Sequence, residues 1–170
     1  MSAIDFSVFV EFGVGLAGFS GVVVAFSRRS GRLSEYDSFR VVQLLMSALI
    51  PAFVGLLPPI LASFQIEGET ARRISSATLM AGIAVNTGVA IATARRMSPG
   101  ARRSLSPTVW RFSLGSSALF LVWNGLNLMG WPWPPSFGPV LLGMVCLLVL
   151  ASIMFFRLLL VRLGDDADAG

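Results

Sequence analysis

The chain has 170 residues, of which 55% are hydrophobic and only 13% charged, so it is far more apolar than an ordinary soluble domain. It has no histidine and one cysteine, which excludes Cys/His zinc sites, Ser-His and Cys-His nucleophile pairs, and disulfides within the chain. The net charge of +4 comes from arginines that flank apolar runs, and this distribution does not indicate a nucleic-acid-binding face.

Five long apolar runs predict membrane-spanning helices. They cover residues 6–26, 41–64, 74–94, 109–130 and 137–163. Each is close to the length of about twenty residues that crosses a hydrocarbon core, and lipid offers the backbone no partners, so such runs must be helical. We therefore predict an all-α integral membrane protein: one five-span bundle over residues 1–164, followed by a short, disordered acidic tail at 165–170.

The arginines predict the orientation of this bundle. Eleven lie on one side of five crossings, whereas Arg72 and Arg73 lie on the other. The positive-inside rule then places the amino end outside and the carboxyl end in the cytoplasm. Because every basic residue is arginine, which is typical of GC-rich bacterial coding, we expect a multi-pass protein of a bacterial inner membrane. The cytoplasmic arginines are also suited to attract anionic lipids.

The first run contains glycines that match a dinucleotide-binding pattern by coincidence. Gly13, Gly15 and Gly18 fit G-x-G-x-x-G, but the motif requires a strand before the glycines, and here one apolar run passes through them. The residues are better explained as helix-packing positions. Gly13, Ala17 and Gly21 form a small-residue stripe that would let another helix approach closely.

Glu11 is the polar residue that the membrane makes most costly. It lies about 8 Å inside the outer edge of the first run at helical rise, and an ionisable group at such depth is expensive. We therefore expect Glu11 to face the protein interior, a wet cavity or a partner. Gly15 and Gly18 share its helix face, which places a groove of small residues beside the carboxylate.

The second and third runs carry further polar or irregular features. Pro51, Pro58 and Pro59 are predicted helix breaks, since each proline removes an amide donor and frees a carbonyl four residues earlier. Arg72 and Arg73 open the third run and are the expected ion-pair partners of Glu11, or otherwise form a charged rim. Asn86 lies in the middle of that run.

The fourth run brings Asn124 and Asn127 toward the outer side. With Glu11, the adjacent prolines and Arg72, they predict a possible outer cluster that lines a pore or binds an ion. The alternative is that the asparagines simply bond neighbouring helices to each other. In the last run, Arg157 either snorkels to headgroups or forms a basic rim at a pore mouth.

Three functions remain open from the residues alone. No family resemblance, catalytic motif, metal site or cofactor motif is present, so we expect no enzyme. The absence of matching halves disfavours an alternating-access carrier, and a thin bundle with small-residue stripes favours a homo-oligomer. The first hypothesis is a homo-oligomeric channel for small ions, with Glu11 or Asn86, Asn124 and Asn127 at the constriction. The second is a scaffold that docks another membrane protein, and a third is a lipid-modifying enzyme that relies on Glu11 alone.

Overall fold

A computed structural model describes the backbone of residues 6–29, 34–103 and 105–167, and the side chains of residues 6–21, 34–103 and 105–159. The helices are α1 (Ser7–Arg29), α2 (Glu35–Ser63), α3 (Gly68–Arg96), α4 (Pro99–Arg103), α5 (Pro107–Met129) and α6 (Gly138–Ala167). No strand occurs in the described ranges, so the all-α prediction is confirmed. The predictions for the arginine side chains at positions 28, 29, 32 and 162 lie outside the described residues.

Within the described residues, three helices are long and apolar enough to cross a membrane. They are α2, α3 and the Gly138–Leu159 part of α6. In α1 the shorter segment Ser7–Gly21 is apolar, and α5 is diluted by buried asparagines and by serines. The structure therefore shows an all-helical protein with three helices of membrane-spanning character. The five-span arrangement stays a prediction.

The helix ends follow from local chemistry. Ser34 caps α2, because its Oγ accepts a hydrogen bond from the Asp37 amide at 3.1 Å. At the end of α5, Gly130 adopts a left-handed φ of 71°, which lets its amide and that of Trp131 bond back to the carbonyls of Asn127 and Leu126. Here the chain turns away from α5 toward α6.

Helix α2 is central to the bundle. It packs against α1, α3 and α6, whereas α5 packs mainly on α3. The buried core joins residues from α2, α3 and α6 with Phe6, which precedes α1 and contacts the Phe137 ring edge-on at 5.3 Å between centroids. We call the end of the bundle with Arg40 and Arg96 the arginine end, and the end with Trp131 and Trp133 the tryptophan end.

The two ends differ in their charged contacts. At the arginine end, the Glu35 carboxylate accepts hydrogen bonds from the Ser98 amide at 3.0 Å and the Ser98 hydroxyl at 2.9 Å, so the start of α2 is joined to the end of α3. At the tryptophan end, Arg73 pairs with Glu69 at 2.7 Å on the exposed first turns of α3.

Two expectations about local structure differ from what is observed. Helix α2 runs without interruption through Pro51, Pro58 and Pro59, so the predicted breaks do not divide it. Contacts with α1, α3 and α6 support the helical path that proline disfavours. In addition, α6 is helical to Ala167, so the acidic segment from residue 165 starts as helix, whereas a disordered tail was expected; residues 168–170 lie outside the described part.

Candidate functional site

The structure does not bring the predicted outer polar residues together. Asn124 and Asn127 are buried within the bundle, whereas Glu11 lies on the exposed surface of α1. Arg73 pairs with Glu69, and among the described side chains none lies within ion-pair distance of Glu11. The two asparagines are thus inside the bundle, and the Glu11 carboxylate is on its surface.

Asn127 holds the tryptophan end together. Its Nδ2 donates to Ser76 Oγ on α3 at 2.7 Å and to the Ser136 carbonyl at 2.9 Å. Its Oδ1 accepts from the Ser136 amide at 2.9 Å. One side chain therefore ties α5 to α3 and to the segment that leads into α6, and both ends of its amide are used.

Asn124 and Asn86 also bond across helix interfaces. Asn124 is fully buried at 0% exposure, and its Nδ2 donates to the Pro139 carbonyl of α6 at 3.3 Å. Asn86 Nδ2 donates to Ser47 Oγ of α2 at 3.3 Å. The Oδ1 atoms of both asparagines are buried without a partner among the described residues. Their donors act as interhelical bonds, and their acceptors remain available inside the bundle.

Helix α1 presents two contrasting faces. On the inner face, a Cβ added to Gly13 would lie 2.5 Å from the Ala48 carbonyl oxygen of α2, so only glycine permits this approach. Ala17 is half-buried on the same face, and its carbonyl accepts a hydrogen bond from the Ser20 hydroxyl at 2.8 Å. Gly21, expected to continue the stripe, is exposed, with no atom near its Cβ position. Ser20 takes its place, because a 3.6-residue period carries position 21 away from the contact.

No described residue covers the outer face of α1. Glu11, Gly15 and Gly18 all lie on it, and the space beside both glycines is open. Phe12 is 50% and Phe19 is 67% exposed next to them. We call this surface, comprising Glu11, Phe12, Gly15, Gly18 and Phe19, the outer α1 face. It combines a carboxylate, a glycine groove and an aromatic ridge.

A cleft of about 430 Å³ opens at the tryptophan end between α5, α6 and the connecting segment. Trp123, Trp131 and Trp133 contribute to its walls, which are largely apolar. Its polar side chain Asn127 already has partners for both ends of the amide. The cleft therefore presents an apolar surface with no free polar group from that residue.

A small pocket at the arginine end collects polar groups that the sequence analysis did not connect. Arg40 and Gln43 of α2 are each only 6% exposed and line a pocket of about 30 Å³ together with the half-buried Arg157 of α6. Arg40 Nε and Gln43 Nε2 have no hydrogen-bond partner among the described residues. The sequence carried a signal: Arg40, Gln43 and Ser47 follow at i, i+3 and i+7 within the start of an apolar run, which places them on one helix face.

Comparisons with known proteins give no relative: no family model, no curated protein and no solved structure matches the chain. Among the described residues, no group of three or more His, Cys, Asp or Glu side chains is placed to hold a metal ion.

Proposed function

We propose that this chain is a five-span protein of a bacterial inner membrane, with its amino end outside, that assembles with copies of itself through the outer α1 face. In the assembly, Glu11 borders a hydrated path for small cations. The arginine distribution supports the orientation, and the three apolar helices support the membrane location.

The observation that carries this proposal is the position of Glu11. Its carboxylate lies on an exposed face, next to Phe12 and Phe19, and has no ion pair with any described residue. A carboxylate in contact with acyl chains is expensive, so in the membrane this face requires protein or water against it. Nothing within the described bundle supplies that cover.

The shape of the same face suits a second copy of the chain. Gly15 and Gly18 leave open space along the helix, and the exposed rings of Phe12 and Phe19 stand beside that groove. A ridge next to a groove is self-complementary, because the ridge of one copy fits the groove of the next. Such packing brings the Glu11 carboxylates of neighbouring copies close together, where water or a cation relieves their repulsion.

The direct test is cation flux through reconstituted protein. We expect Glu11→Gln to lower cation conductance in liposomes and to weaken the preference for cations over anions, since an acidic ring selects by charge. The matched control is Glu67→Gln, which removes the same charge from an exposed position at the start of α3 and should leave both quantities unchanged. Equal conductance and selectivity in wild type and Glu11→Gln would refute the channel.

The exposed aromatic ridge also favours a second candidate function, docking of a different membrane protein on the outer α1 face. Disulfide crosslinking separates the two. In a Cys146→Ala background, Gly15→Cys should yield covalent dimers of the chain itself if copies pack there. Gly115→Cys, at an equally open glycine of α5, is the control that should not. A foreign subunit captured at position 15 in stoichiometric amount, without self-crosslinking, would favour the scaffold.

A further inference from the structure

We propose that the pocket lined by Arg40, Gln43 and Arg157 at the arginine end binds the phosphate group of an anionic phospholipid. This inference is independent of the proposed channel, because it concerns the opposite end of the bundle from the Trp-rich connection and none of its residues lie on the outer α1 face.

The first argument is the pair of unused donors. Arg40 and Gln43 line the same pocket, and Arg40 Nε and Gln43 Nε2 are buried and donate to no described residue. Buried donors without partners are costly, and two of them within one turn of α2 favour a bound ligand that supplies acceptors. A phosphate group supplies two charged oxygens as acceptors.

The second argument is charge. The remaining groups of Arg40 are already engaged: its guanidinium carbon lies 4.0 Å above the Tyr36 ring, Nη2 donates to the Tyr36 hydroxyl at 3.0 Å, and Nη1 lies 3.5 Å from Asp37. These contacts hold the guanidinium in place, while its Nε has no partner among the described residues. Arg157 has no ion pair with a described carboxylate, so its positive charge is uncompensated and favours an anion.

The third argument is the position of α5. Ser106 lines the pocket and precedes α5, and its side chain makes no capping hydrogen bond. The positive end of a long helix therefore adjoins the two arginines, an arrangement that attracts negative charge. The helix end thus adds to the attraction for an anion that the unused donors of Arg40 and Gln43 provide.

Pocket size and walls select a lipid phosphate over a larger anion. The volume of about 30 Å³ accommodates about two water-sized atoms, since one needs roughly 10–15 Å³ by this measure. A phosphodiester has two non-bridging oxygens, and these fit the pocket while its ester oxygens stay outside. The rings of Phe39 and Trp110, 6.4 Å apart between centroids, and Met154 form apolar walls that suit adjoining glycerol and acyl carbons.

The test uses the full chain in detergent, titrated with dioctanoyl phosphatidylglycerol while the thermal unfolding midpoint is followed. Wild type should gain stability, and Gln43→Leu and Arg157→Gln should each bind about tenfold more weakly, the usual loss for one hydrogen bond or contact to a charged group. Arg96→Gln, an exposed arginine at the same end, is the charge-matched control and should respond like wild type.

The controls make the assignment falsifiable. Without lipid, Gln43→Leu should be at least as stable as wild type, because Gln43 Nε2 has no partner to lose; a marked loss would overturn the proposal. Equal responses of all four proteins would overturn it as well. If inorganic phosphate alone produces the same gain, the site takes a small free anion and the lipid assignment is wrong. An equal response to dioctanoyl phosphatidylcholine would overturn the requirement for an anionic lipid.

Discussion

We call the bundle interior around Asn124 and Asn127 the asparagine side. Polar groups on this side and on the outer α1 face are treated in opposite ways. Asn127 bonds α3, α5 and the start of α6 with both ends of its amide, so that its polarity is satisfied within the chain. Glu11 finds no ion pair among the described residues and remains exposed on a helix rich in phenylalanine. Asn127 therefore stabilises the fold, whereas Glu11 contributes no ion pair to it among the described residues. We therefore expect mutation of Asn127 to lower stability, and mutations on the outer α1 face to change assembly.

The largest expected effect is on the asparagine side. Asn127→Ala removes three hydrogen bonds and leaves the Ser136 amide and carbonyl without their partner, so we expect a loss of about 3 kcal/mol in the free energy of unfolding. Unfolding in mixed micelles measures it. A variant as stable as wild type would show that water replaces the hydrogen bonds of Asn127, and that Asn127 does not stabilise the asparagine side.

An intermediate effect should separate the two faces of α1. Gly13→Ala places a methyl group 2.5 Å from the Ala48 carbonyl oxygen, and such overpacking should cost about 2 kcal/mol of monomer stability. Gly15→Ala enters open space and should leave the monomer intact while weakening self-association. Unfolding and crosslinking assays on both variants give the comparison. The reverse ranking of monomer stability would contradict the assignment of the two faces.

The smallest effect on the isolated chain is expected at Glu11. Because no described side chain pairs with it, Glu11→Gln should leave the unfolding midpoint of the detergent-solubilised monomer unchanged. Any change should appear only in assembly or conductance. A clear loss of monomer stability would mean that Glu11 serves the fold, and the contrast with Asn127 would disappear.

Much of the architecture follows from the sequence through hydrophobic length and capping chemistry. The all-helical class and the Ser34 cap are both observed, because a cap depends only on residues three positions apart. The small-residue contact at Gly13 was also foreseeable from spacing. Local rules of this kind need no knowledge of which helices become neighbours.

Those local rules could not predict which helix faces lie against one another. Glu11 and Asn127 were expected near each other on depth alone, yet depth says nothing about which way a helix is rotated about its axis. For the same reason, the sequence did not single out Gln43. It lines a pocket only because α5 and α6 bring Trp110 and Arg157 against α2. Three prolines looked like interruptions of α2, but contacts with its neighbours preserve the helix.

The central place of α2 has a consequence for biogenesis. This helix is synthesised before α5 and α6, whose residues enclose its buried flank at Arg40 and Gln43. Before α5 and α6 pack there, Arg40 can already contact Tyr36 and Asp37 of its own helix, whereas Gln43 and the Nε of Arg40 are open to the surroundings. The arrival of α5 and α6, and not the placement of α2 itself, is then the step that encloses this flank.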